Sequence, residues 1–496
     1  MIAPDIYRVT KSFLIDVDCS NVNAALYPPL IYIGNFNSPL VMQGLISVNS
    51  DSVYAIISHQ YFDKIEMHDF YVENTDALAT FIFEASFANE INVSNITINN
   101  NDIASNDPTG IFYFNPMSDG VLNLSNLNVM NSNIGAKHAI EFRQSGTGIM
   151  NMHNVYVENV TLGTDTKIIK TQSLSSFEML NSTFINVNSQ ESGDSTPKLI
   201  ELSSIALADQ SIYSIHDTYI ESSTVGFIEF SGIKNSEALT SNFIIDDFVY
   251  TNSYLDFSQD LISLVGIETD NDFQITLSNI GMNNITFVRT GNLILLKHQT
   301  NTTVTLNNAT FSDLYGGQIF IGSSNLQNDN LITKVNMTSI TATSLSGTSN
   351  SFISIEEGGQ LYIYDSNFTN VDNTERGAVL NAGYQNSYTE VHNSTFKNNL
   401  SVYGGVANVQ DGSVIKFYDS NITDNFAVQS GAIQVSSDGY FEMYRCHVAY
   451  NYAYTLSISE IFIVNQPSLF SNTSIHDNIV MTKGQILDEF NNCETL

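Results

Sequence analysis

The chain has 496 residues and a formal net charge of −34, from 51 Asp and Glu against 17 Lys and Arg. Such a surface repels phosphate backbones and anionic lipid, which excludes nucleic acid as a partner and sets any polyanionic substrate at a disadvantage. Hydrophobic residues make up 43% of the chain; no apolar run approaches the roughly 18 residues of a membrane-spanning helix, so a large core and no direct membrane insertion are expected.

From the N-terminus, Met1-Ile2-Ala3-Pro4-Asp5 lacks a basic region followed by an apolar stretch and does not read as a signal peptide. Leu14-Ile15-Asp16, with Cys19 in sixth place, is the first point at which a recurring frame can be laid. The frame is clear in MHDFYVEN (67–74) and MHNVYVEN (152–159): apolar, any, Asn or Asp, any, any, apolar, any, often Asn or Asp. Its third position falls on Asp69, Asn95, Asn126, Asn154, Asn181, Asp217, Asp247, Asn279, Asn308, Asp365, Asn393, Asp419 and Asn472, with Met337 and Arg445 as exceptions. Asn and Asp tolerate left-handed backbone and bond local backbone groups, so these thirteen are assigned to a structural turn ladder. The sixth position is apolar throughout, from Val72 and Ile98 to Phe396 and Ile475, and recurs every 26 to 36 residues, the longest step separating Phe184 from Ile220. A second strand-like phrase keeps the same beat, as Ile140-Glu141-Phe142, Ile200-Glu201-Leu202, Ile228-Glu229-Phe230 and, later, Ile461-Phe462-Ile463.

Short alternating segments at this period predict an all-β fold. It is a right-handed parallel β-helix solenoid of about 15–17 coils with a three-sheet cross-section, in which stacking buries what one coil cannot. Propeller, leucine-rich and helical repeats each demand spacings that are absent. The whole of 1–496 is read as a single parallel β-helix, with divergent coils over 14–362, the clearest repeats over 363–480 and an incomplete coil or the start of a following segment at 481–496. Because the beat is still running at Gly484-Gln485-Ile486-Leu487 with no cap after it, a cap, module or anchor is expected beyond Leu496.

The last third carries Arg376-Gly377-Ala378-Val379, Gly404-Gly405-Val406-Ala407 and Ser430-Gly431-Ala432-Ile433, alternating with Phe396-Lys397-Asn398-Asn399 and its relatives up to Ile475-His476-Asp477-Asn478. These phrases resemble the polymorphic outer-membrane protein repeats, within the wider pectin-lyase-like β-helix class. The resemblance implies a cell-surface adhesion or shell-building role and supplies no catalytic residue to carry over.

The wider class also contains polysaccharide enzymes. Of the phrases typical of polygalacturonase-like enzymes only Asp246-Asp247 is present, and Asp247 already has a turn role. The few Lys and Arg residues are scattered along the sequence, against lyase chemistry. Glu201 and Glu229 hold the same outward position on what should be adjacent coils, ~5 Å apart, a carboxylate pair of the spacing used by retaining glycosidases. The plainer reading is two solvated glutamates on an exposed face. His68, His153, His216 and His392 share the second frame position on non-adjacent coils and form no metal ladder. No calcium-loop phrase occurs, and Cys19, Cys446 and Cys493 give neither metal spacing nor a disulfide framework. Among many Asn-x-Ser/Thr sequons, Asn301 in a polar bend is the better glycosylation candidate.

The sequence is therefore read as a non-catalytic extracellular or cell-surface solenoid for adhesion or scaffolding, not an enzyme, without cofactor or metal. Its partner would be a cell-surface glycan or protein, or neighbouring copies in an assembly. Two alternatives stay open: a glycan-active enzyme, glycoside hydrolase or polysaccharide lyase, with a carboxylate site on one face, and a subunit segment of a larger fibrous extracellular assembly.

Overall fold

The computed structural model divides into two compact units, Met1–Asn271 and Asp272–Leu496. It describes six short strands between Tyr7 and Ser58, then 62–73, 83–86, 88–103, 110–117, 119–135, 138–163, 166–189, 198–205, 210–233, 240–255 and 260–265 of the first unit. In the second it describes 273–288, 291–298, 302–323, 333–348, 351–356, 359–383, 387–436, 438–454, 462–464 and 469–481. Cys19, Cys493, Asn301 and the phrase at 484–487 lie outside these residues. The chain is all-β, a right-handed parallel β-solenoid with no helix among the described residues.

The strand Val121–Met130 explains how a coil is built. Its exposure alternates, with Leu122 and Leu124 inward, until Ser125 and Asn126 both face out; alternation then resumes with Leu127 and Val129 inward. Asn126 has φ 57°, and this one left-handed residue bends the chain and resets which side chains point to the bore. Neighbouring coils repeat the arrangement in register, so Leu122 lies between Ile91 and Met150, and Val129 between Ile98 and Val157. Each column is apolar and fully buried. A second left-handed corner follows five residues later, at Asn131 in this coil and at Asn159, Asn186 and Asn284 in others.

In the second unit the coil containing Phe396 runs through Tyr388–His392, Thr395–Lys397, Leu400–Tyr403 and Ala407–Val409, the third of these pairing in a ladder of its own. Phe396 stacks on Phe368 at 5.1 Å and 12° and meets Phe417 edge-on at 5.7 Å. Inside the corner, Asn399, Asn425 and Asn451 are buried and donate in succession to Asn425, Asn451 and Asn478 at 2.8–2.9 Å. The glycine phrase has a steric cause. Gly404 has φ 71°, and a Cβ there would sit 2.1 Å from the Ala407 carbonyl oxygen. One at Gly405 would sit 2.3 Å from that of Gly431.

Candidate functional site

Asp69, Asn95, Asn126, Asn154, Asn181, Asp217, Asp247, Asn279, Asn308, Asp365, Asn393, Asp419 and Asn472 all have φ between 45° and 61°. Asn95, Asn126, Asn154 and Asn181 each donate Nδ2 to the preceding member at 2.7–2.9 Å. Asn308 does so to Asn279 at 2.7 Å, and Asn393 to Asp365 at 2.6 Å. In the coil read with Met337 third, that residue pairs with Leu306 and is buried, and Ser339 takes the turn at φ 57°. The frame there is shifted by two residues, because Thr and Ser blur its Asn signal. Arg445 occupies its turn at φ 54° and grips Asp419 with two bonds of 2.7 Å. Of the second-position histidines, His68 contacts the Ser94 hydroxyl at 2.6 Å and His216 lies 3.9 Å from Asp246.

The concentration of charge that stands apart from this repetition is on the second-phrase strands of the first unit. Tyr113, Glu141, Lys170, Glu201, Glu229 and Ser263 follow one another in register on the side away from the bore, Glu141 and Ser263 buried and the other four half-buried. Glu201 and Glu229 are thus direct neighbours, their backbones ~4.8 Å apart. At the corner that opens these strands, His138, Lys167 and Lys198 stack in three successive coils, and Gly226 follows Lys198. The lysines are therefore not scattered in space. The missed signal was the coil between Ile140-Glu141-Phe142 and Ile200-Glu201-Leu202, Lys167-Ile168-Ile169-Lys170-Thr171, whose strand phrase carries Lys where its neighbours carry Glu.

The corner is buried. Lys167 has a side chain only 7% exposed, and its Nζ stands 3.6 Å from Glu201 Oε2, while Glu201 keeps 25% exposure. Lys198 reaches across Gly226 to donate to the Asp260 carbonyl; a Cβ on Gly226 would come within 2.6 Å of the lysine Cδ. Burial lowers the Lys198 pKa against the raising pull of Asp260 and Glu229, and Lys167 lowers it further. His138 accepts the Lys167 backbone N–H at Nδ1 (3.1 Å), which puts its proton on Nε2. Burial, with Lys170 and Lys167 adding to it, pushes the His138 pKa down to about 3. The longest step of the repeat, between Phe184 and Ile220, falls on this coil, and its extra length lies at 190–197 and 206–209, outside the described residues. Chemically, the face offers two adjacent carboxylates, one tied to an ammonium, beside a second lysine, Lys170. Among the described residues no group of His, Cys, Asp and Glu is arranged to hold a metal ion.

No known family matches the sequence, and no curated protein is similar to it. Among solved structures, the chain is similar to the PL6 family alginate lyase AlyGC at 8% identity, over 96% of this chain and 97% of that chain, with a TM-score of 0.16. The expectation that this chain is not an enzyme is withdrawn, because the ground on which it stood fails: Lys167, Lys170, Glu201 and Glu229 converge on one face. A TM-score of 0.16 assigns neither an activity nor a substrate to the chain.

Proposed function

We propose that the protein is an extracellular glycan-active enzyme whose site is the face bearing Lys167, Lys170, Glu201 and Glu229. The observation that carries this reading is the in-register pairing of Glu201 with Glu229 beside the buried Lys167 ammonium. Strand spacing puts the two carboxyl groups within reach of the about 5–5.5 Å separation used for hydrolysis with retention.

In this mechanism Glu201, the carboxylate that Lys167 holds, attacks the anomeric carbon and forms a glycosyl ester. The glycosidic C–O bond breaks as Glu229 gives its proton to the leaving oxygen. Glu229 then takes a proton from water, the water oxygen attacks the same carbon, and Glu201 leaves as a carboxylate. Lys170, next to Glu201 on the outward row, is placed to bond ligand hydroxyls.

The test is a panel of polysaccharides assayed both for new reducing ends and for unsaturated products. Hydrolysis of at least one glycan is expected, falling at least about 100-fold in Glu201→Gln and in Glu229→Gln. Unsaturated products would move the chemistry to elimination. No turnover at all, or turnover indifferent to both substitutions, would overturn the assignment.

A further inference from the structure

A second face, in the other unit, is built differently. The strands Gly359–Tyr364, Tyr388–His392, Val414–Tyr418 and Tyr440–Tyr444 pair in register. This aligns Tyr364, His392, Tyr418 and Tyr444 in one outward row and Tyr362, Glu390, Lys416 and Glu442 in the next. The first row is a continuous ring stack, with centroid separations of 5.0, 4.6 and 4.9 Å and interplanar angles of 15°, 6° and 4°. Ring faces are spent on one another, so the row presents edges and hydroxyls to solvent.

The carboxylates beside it are clamped. Tyr440 and Tyr444 donate to the two oxygens of Glu442 at 2.7 and 2.9 Å, and Lys416 lies 3.2 Å away. Tyr388 donates to Glu390, whose other oxygen is 3.2 Å from His392 Nε2. The hydroxyls of Tyr364 and Tyr418 make no hydrogen bond to the protein among the described residues. Burial first, then the neighbouring carboxylates, keep the Tyr418 hydroxyl above its usual range, so it stays a donor at physiological pH.

Charge in the rows beside the stack is balanced, while at the turn that follows it Arg445 pairs with Asp419 and Asp365 adds one carboxylate. Lys334, 4.9 Å above the Tyr362 ring, and Lys416 stand against Glu390 and Glu442, on a protein whose net charge is −34. A polyanion would meet both carboxylates, and a polycation both ammonium groups. A partner rich in groups that donate and accept but carry no charge meets neither penalty, and fixed tyrosines suit such a partner because little side-chain freedom is lost on binding.

We propose that this face binds an uncharged glycan chain along the line of the stack, with sugar hydroxyls bonding the Tyr364 and Tyr418 hydroxyls. The choice of a glycan leans on the proposed function, but binding here is independent of turnover at Glu201.

The experiment measures binding of immobilised cello-, xylo- and manno-oligosaccharides, with charged oligosaccharides alongside, to the whole chain, to Glu201→Gln, and to the double variant Tyr364→Phe/Tyr418→Phe. The double variant keeps both rings and hence the stack, and an unchanged unfolding midpoint verifies this. At least one uncharged oligosaccharide is expected to bind, with affinity falling about tenfold in the double variant, as two lost hydrogen bonds imply, and unchanged in Glu201→Gln. Binding of charged oligosaccharides alone, no binding, or a double variant that binds as tightly as the whole chain would overturn the proposal. Loss in Glu201→Gln alone would place the contact at the carboxylate pair and overturn it equally.

Discussion

At the residue scale, Asn154 carries three duties at once. It holds a left-handed φ of 58°, donates Nδ2 to Asn126 at 2.9 Å and accepts from Asn181 at 2.7 Å. Asn154→Ala loses both bonds and meets the steric cost of left-handed backbone, so a loss of about 1–3 kcal/mol is expected. Asn154→Gly loses the bonds alone and should cost less; chemical denaturation of the two variants checks the order. The positions of these turns were legible because Asn and Asp are chosen for a conformation that few residues accept. Ser339 was not, because Ser turns as Asn does here but is common everywhere in this chain. The lysine corner was illegible for a different reason. Lys167 and Lys198 are 31 positions apart, and only the coil period, miscounted at the phrase between them, makes them neighbours.

At the element scale, each coil contributes one layer to an apolar stack, and a layer is only as good as its filling. Phe396 is fully buried between Phe368 and Phe417. Phe396→Ala should cost about 3–5 kcal/mol, and Phe396→Asp should unfold the surrounding coils; wild-type-like thermal unfolding of the Asp variant would contradict the inward placement. The lysine corner adds a pH dependence. His138 titrates from 6.5 when unfolded down to about 3 when folded, so between these values the unfolded chain binds the extra proton. Stability must therefore fall as pH drops from about 6.5 towards about 3. In His138→Gln that part of the acid loss should vanish, measured as a shallower decline of the denaturation midpoint across the same window. Glu442 adds to the acid loss at lower pH. Burial pushes its carboxyl up, but bonds from Tyr440 and Tyr444 and the Lys416 ammonium outweigh burial and hold it below the usual range. The stability it contributes is present above the ordinary carboxyl pKa and is lost as pH falls through the lowered one. Glu442→Gln should abolish that component.

At the scale of the whole molecule, the parallel solenoid was legible because every coil repeats the same few requirements: apolar columns, a left-handed turn and, late in the chain, glycines where carbonyls crowd. The proposed site lies in departures from that repeat, which a reading built on the repeat averages away. Glu201 and Glu229 were visible as a pair because they share one phrase; Lys167 and Lys170, the cations that single them out from a solvated face, become their neighbours only through the coil register. Retention of configuration separates this account from its rivals, because it follows from two carboxylates on neighbouring strands and not from fold or composition. Proton NMR of the first product formed, before mutarotation, reads it directly from whichever glycan is cleaved. The account predicts the anomer of the substrate, retained; the opposite anomer, or an unsaturated sugar, would contradict it.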